Sequence, residues 1–354
     1  MKFSFFLGAL VALLVSQSAT AQTRLVLKQE RKEISEEFER WWKTPLVWEF
    51  DELPTKGRVP ESRKPYAGGI YPDRAGGTYV AMRKYDLAFH PRQRRAAWFE
   101  QRDIAMHTTS HYRRGWFGGG HSVSYIPEWS GHCNGWASAA IRHAEPRKSV
   151  TRKGVTFTPA DIKGMLAELY MYTDSKLLGG GYETVINPAS FHVSLTNWVG
   201  HKKHPIAMDR TPGGTVWNYP VYAFASTFKK RGRQVEVKVN IAFKEYLDRE
   251  QNVAPKKAKN LYFHYALQLD KEGKIVGGVY YYDSNQIDFL WIPLPATQGG
   301  KKGNKQGNPY LSLDEVLAIW RESVSDEAVE GWVNIDAGEP AAKDADKAIA
   351  RAGE

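Results

Sequence analysis

The chain has 354 residues, 42% of them hydrophobic and 13% aromatic, with a formal net charge of +10 and a single cysteine. That composition excludes a disordered chain, and one cysteine excludes an internal disulfide framework. The excess of lysine and arginine, as in "FKKRGRQVEVK" and "APKKAK", reads first as a solubilising basic surface, with contact to anionic cell-wall or cell-surface polymers as the alternative, and no nucleic-acid module is present in the sequence.

Residues 1–21 combine Lys2, an apolar run from Phe3 to Val15, and Ala19 and Ala21 at the positions a signal peptidase reads. They predict a signal peptide cleaved near Ala21 and a secreted or periplasmic protein. No later stretch reaches the roughly 18 apolar residues of a membrane span, so no transmembrane anchor is expected. Residues 22–60 read as an N-terminal helical segment, because "RKEISEEFERWWK" carries apolar residues at helical spacing. The stretch from 51 to 130 is rich in Gly, Pro, Tyr and Arg and predicts loops and short strands.

In "TPADIKGMLAELYMYTD", Thr158 is placed as an N-cap, with Pro159 at the first helical position and Asp161 at the capping-box position. A helix is predicted. In "FHVSLT", Phe191, Val193 and Leu195 alternate with His192, Ser194 and Thr196, which predicts a strand with His192 on its polar face. Four more strand-like runs follow, at "TVWNYPVYAFAST", "VEVKVNIAFKEY", "NLYFHYALQLD" and "IVGGVYYYD", with "DKEGK" as a hairpin turn between the last two. Ser312 and Glu315 cap a late helix, and residues 337–354 read as a flexible tail.

The lone thiol sits in "SGHCNGW". After it, Ala137, Ala140, Ile141 and Ala144 form a helical stripe, which puts Cys133 at a helix N-terminus, where backbone N–H groups and the helix dipole favour the thiolate. The flanking glycines are expected to let a substrate approach. A thiol nucleophile needs a proton acceptor and a group to orient it. His192 is the expected base and Asp209, on the next apolar segment, the expected orienting acid, in preference to Asn187, Asn197 or Asn218. The tryptophans Trp116, Trp129 and Trp136 crowd the cysteine in sequence and, with Asn218, are candidates for substrate or oxyanion contacts. "HTTSH" carries Thr108 where a zincin carries glutamate, "HKKH" reads as a solvated loop, and no metal site is predicted.

"GHCNGWASA", "NPASFHVSLTNWVG" and "VWNYPVYAF" together resemble the transglutaminase elicitor family of oomycete cell-wall proteins and their bacterial relatives. In "VWNYPV", Val216, Trp217, Asn218, Pro220, Val221 and Phe224 match the surface peptide that plants detect, while Tyr219, Tyr222 and Ala223 depart from it. The resemblance implies an α+β, papain-like or transglutaminase-like thiol acyltransferase over residues 61–336, with its cysteine helix packed on a mainly antiparallel sheet. It implies a protein-glutamine gamma-glutamyltransferase joining glutamine donors to lysine or other primary amine acceptors through Cys133, His192 and Asp209. No cofactor is needed for that chemistry. Calcium would rest on resemblance alone, since no acidic loop has its ligand spacing. A hydrolase, meaning a deamidase or peptidase with the same triad, and a non-catalytic wall-binding protein are the alternatives.

Overall fold

The computed structural model describes residues 23–114, 120–256 and 258–333. In chain order these form β1 (Arg24–Leu25), α1 (Lys28–Trp42), β2 (Lys56–Arg58), α2 (Tyr79–Phe89), α3 (Ala96–Met106), and a hairpin of β3 (Thr109–Arg114) and β4 (Gly120–Tyr125). Next come α4 (Cys133–Arg142), a small hairpin of β5 (Val150–Arg152) and β6 (Val155–Phe157), α5 (Pro159–Tyr170), β7 (Ser175–Gly180) and α6 (Pro188–Leu195). The second half supplies β8 (Ile206–Asp209), β9 (Asn218–Arg231), β10 (Gln234–Phe243), β11 (Lys259–Leu269), β12 (Ile275–Tyr280) and β13 (Phe289–Pro293), then α7 (Leu313–Ser323) and α8 (Asp326–Val333).

The sheet has nine strands in the order β1-β12-β11-β10-β9-β8-β13-β7, with β2 also paired to β9. Every pairing in it is antiparallel. In β10 the alternation of Val235, Val237, Val239, Ile241 and Phe243 with polar residues becomes one buried face. The predicted turn at "DKEGK" forms, with the Asp270 carboxylate accepting from the backbone N–H groups of Glu272 and Lys274. Helix α1 buries Ile34, Phe38 and Trp41 in the same core as the sheet strands.

Helix α5 begins as the sequence predicts. Thr158 accepts from the Asp161 backbone N–H, and the Asp161 carboxylate accepts from the Thr158 N–H in return. Thr158→Ala is therefore expected to cost about 1 kcal/mol, read as a lowered urea midpoint.

Two predictions fail here. The stretch predicted as loops contains α2 and α3, because the cap of α3 is not local in sequence: the Asp86 carboxylate in α2 accepts from the backbone N–H groups of Ala96 and Ala97. The second failure matters more for the site. "PASFHVSL" is helix α6, continued by a π-helical turn over Thr196–His201, and not a strand. All of Pro188–Leu195 is buried, so the alternation of apolar and polar residues marks no exposed face. Asn187 caps the helix by accepting from Ala189 N–H, and Pro188 occupies the first turn. This is the same signal that identifies α5.

Candidate active site

Cys133 is the first residue of α4 and is 6% exposed. It opens onto a cavity of about 410 Å³ walled by the end of α5, by β7, β9 and β13, and by the loop before α4. Helix α4 lies tight against α5 because residue 135 is glycine: a Cβ there would stand 2.1 Å from the Ala167 carbonyl oxygen. Gly131 likewise abuts the carbonyls of Ile70 and Tyr71. The glycines around the cysteine thus serve backbone packing, and Gly131 also lines the cavity.

Two groups touch the sulfur. The Val216 carbonyl oxygen lies 3.7 Å from Sγ, and the Asn218 side-chain amide donates to Sγ at 3.5 Å. Trp291 on β13 fixes that amide, since its indole N–H donates to Asn218 Oδ1 at 2.8 Å and leaves Nδ2 turned towards the thiol. Burial pushes the Cys133 thiol up, N–H donors of Asn218 and Asn134 pull it down, and the negative charge of Asp209 raises it again. Asp209 faces Asn218 across the β8–β9 pairing and is fully buried. Its Oδ1 accepts from Trp217 N–H at 2.8 Å, whereas its Oδ2 has no hydrogen-bond partner. Burial lifts its carboxyl to about 6, against the pull of the Trp217 and Thr211 N–H groups.

His192 is not in this site. Ala207 on β8 and Phe289 and Trp291 on β13 pack with Ala137 and Ile141 of α4. Ile206, Met208, Leu290 and Ile292 alternate onto the other face and share a cluster with Phe191, Val193 and Leu195 of α6. His192 Nδ1 meets the Tyr265 hydroxyl at 2.8 Å, its ring stacks on Phe50, and it lines a separate cavity with Phe228 and Val237. Burial lowers it to about 3, so it is neutral. Neither the expected Cys-His pair nor the expected contact of Asp209 with that ring forms: Cys133 meets Asn218, and Asp209 stands opposite Asn218 in the β8–β9 register.

Among the described residues no histidine hydrogen-bonds to the thiol. His107 does line the cavity, but its Nδ1 lies 2.7 Å from Asp73 Oδ2 and its Nε2 3.2 Å from the Tyr172 hydroxyl. The hydrogen bond that Nδ1 donates to the Asp73 carboxylate raises it.

Trp129 lines the cavity and is 41% exposed, as a substrate-side residue can be. Trp136 is core: it is 1% exposed, donates to the Tyr66 carbonyl and stands edge-on to Tyr219. Trp116 lies outside the described residues. Asn187 and Asn197 bind backbone groups of Ala189, Arg24, Val47 and Val193. Trp291 and Tyr182, which also wall the cavity, escaped the sequence reading. The apolar run "DFLWIP" was the available signal for a buried strand there.

The transglutaminase elicitor sequence family matches this chain over residues 105–181 and 181–261. Over that span the chain is similar to the transglutaminase elicitor family. The fold agrees: the crystal structure of the GP42 transglutaminase from Phytophthora sojae superposes with a TM-score of 0.65 at 23% identity, covering 85% of this chain and 99% of that one. No curated protein sequence matches the chain at a significant level. In this chain Asn218, Tyr219, Pro220 and Val221 of "VWNYPV" are buried at the start of a central strand, and Val216 and Trp217 are half-buried.

Proposed function

We propose that the protein is a thiol acyltransferase, a protein-glutamine gamma-glutamyltransferase, whose nucleophile is Cys133 and whose proton carrier is Asp209. The observation that carries this reading is the lone thiol at a helix N-terminus, met by the Asn218 amide, with a buried carboxylate that has an unpartnered oxygen opposite Asn218 on the neighbouring strand. The arrangement is papain-like in placing the thiol at the start of a helix packed on an antiparallel sheet, but an acid stands where a histidine was expected.

In the first half-reaction the sulfur attacks a glutamine γ-carboxamide, the thiol proton passes to Asp209, and from there it leaves with ammonia, giving a thioester. The Asn218 amide and the N–H of Asn134 stabilise the oxyanion. In the second half-reaction a lysine or other primary amine attacks the thioester, the C–S bond breaks as an isopeptide bond forms, and a proton from the amine passes by way of Asp209 to sulfur. Each step uses only groups of this chain and its substrates.

The aromatic walls supplied by Trp129, Tyr182, Phe289 and Trp291 limit water at the thioester and favour an amine acceptor. The basic exposed turn from Lys229 to Arg233 suits an anionic cell-wall or cell-surface partner, consistent with the secreted or periplasmic setting that residues 1–21 imply. Among the described residues no helix is long and apolar enough to cross a membrane.

Dansylcadaverine incorporation into casein tests the proposal. Incorporation at a rate well above the release of ammonia without amine supports the transferase. Ammonia release that amine does not accelerate makes the protein a deamidase, and no turnover of either kind removes the enzyme reading.

A further inference from the structure

His132 immediately precedes the nucleophile, yet it does not line the cavity and is fully buried. Its ring stands in a chamber of carboxylates. Nε2 lies 2.9 Å from Glu168 Oε2 and 3.6 Å from Glu100 Oε2, and Nδ1 faces Asp73 Oδ1 at 3.9 Å. Asp103 and His107 complete the group, joined by the Tyr172 hydroxyl, which donates to Asp103 and meets His107. Four carboxylates therefore meet two imidazoles, and the acids Asp73, Glu100, Asp103 and Glu168 are 0% to 4% exposed. Full ionisation leaves an excess of negative charge in a medium that penalises it heavily.

The hydrogen bonds around the chamber hold it in one arrangement. Glu100 Oε1 accepts from Thr78 N–H at 2.6 Å, and Glu168 Oε1 accepts from the Asn308 amide at 2.9 Å. The Thr78 hydroxyl donates to Glu168 Oε2 at 2.7 Å. Glu100 Oε2, aimed at the same point as the others, accepts no hydrogen bond at all. One donor atom each from Glu100, His132 and Glu168 fall within 4.8 Å of one another.

We infer that this chamber binds one divalent transition-metal ion, of the zinc or manganese type, through His132 Nε2 and the carboxylates of Glu100 and Glu168. An ion there offsets the excess negative charge and gives Glu100 Oε2 a partner. The mixed imidazole and carboxylate donor set suits such metals, whereas calcium takes oxygen donors. Thr78 and Asn308 orient the ligating carboxylates, and Asp73 stands behind the imidazole as the outer partner that metal-bound histidines commonly have. The ion ties α3 and α5 to the first turn of α4. It anchors the segment that carries Cys133 and takes no part in acyl transfer, so the inference does not rest on the proposed function.

The test begins with metal analysis of the untagged full chain as isolated. About one equivalent of metal per chain is expected in the wild type and equally in Cys133→Ser, which removes the thiol as a source of adventitious binding. Glu100→Gln, which keeps the shape and the Thr78 hydrogen bond, is expected to hold under ~0.1 equivalent while retaining its circular dichroism spectrum. Chelator-treated wild type is then expected to gain several degrees of melting temperature with zinc chloride or manganese chloride, and Glu100→Gln to gain none. The inference is overturned if the wild type carries no metal as isolated and neither salt shifts the melting of the chelated protein. It is also overturned if Cys133→Ser loses the metal or if Glu100→Gln keeps it. Should Glu100→Gln fail to fold, the wild-type stoichiometry and melting shift decide alone.

Discussion

Substituting Cys133 by alanine is expected to reduce amine incorporation to background, a loss of at least three orders of magnitude, while the fold persists. The chain has no second thiol, and covalent catalysis through a thioester has no other group to run on. The stability cost is small for two reasons. Only a sulfur atom is removed, and its contacts are a 3.5 Å donation from Asn218, which keeps its bond from Trp291, and a 3.7 Å approach to Val216. Dansylcadaverine assays and thermal melts on the purified variant provide both readings. Undiminished incorporation by a folded Cys133→Ala protein would falsify the mechanism as a whole.

The second large effect is expected at Asp209. Converting it to asparagine removes the proton carrier without changing shape, and a lost general base costs roughly 10²- to 10⁴-fold in rate. Asn218→Ala, which removes one oxyanion donor, is expected to cost about 10²-fold. His192→Ala should leave kcat nearly intact in whatever protein folds, but destabilise it by about 2–4 kcal/mol, because it opens a cavity under Phe50 and deprives the Tyr265 hydroxyl of its partner. The sequence makes His192 the base, so a rate loss at His192 larger than at Asp209 would return that role to histidine.

The pH dependence follows from the same carboxyl. The wild-type rate is expected to fall as pH drops through about 6, where Asp209 takes up its proton. Stability runs the opposite way. A carboxyl raised in the folded state favours its neutral form, so its contribution is fully present below the unfolded value near 3.9 and is lost as pH rises through about 6. Asp209→Asn should therefore flatten the melting curve between pH 4 and 7 and hold its melting temperature above wild type at pH 7. A melting profile identical in both proteins would show that Asp209 titrates normally.

The parts of the fold that were legible in the sequence are those whose determinants are local. Thr158, Pro159 and Asp161 specify the start of α5 within four residues, and the alternating valines of β10 specify a half-buried strand. Cys133 was legible for the same reason, since the alanine stripe after it fixes the helix. What was not legible depends on distant partners. Helix α3 is capped by Asp86, and the Asn218 amide is turned by Trp291, which is 73 residues away. The chamber around His132 gathers acids from three separate elements. His192 was misread for a different reason. Period-two polarity identifies a strand only when one face meets water, and Pro188–Leu195 is buried all round.

The sheet order also sets when the site can exist. Strand β13 is inserted between β8 and β7, although more than a hundred residues separate it from the end of β7. A nascent chain that ends before Phe289 has no Trp291 to turn Asn218, and β8 and β7 have no strand between them. Such non-local pairings form late, because the loop must close before any contact repays it. The reactive sulfur is thus without its oriented amide and its cavity wall while the chain is being made. On the proposed function, the acyl transfer that needs both is out of reach of the chain until its synthesis is nearly complete.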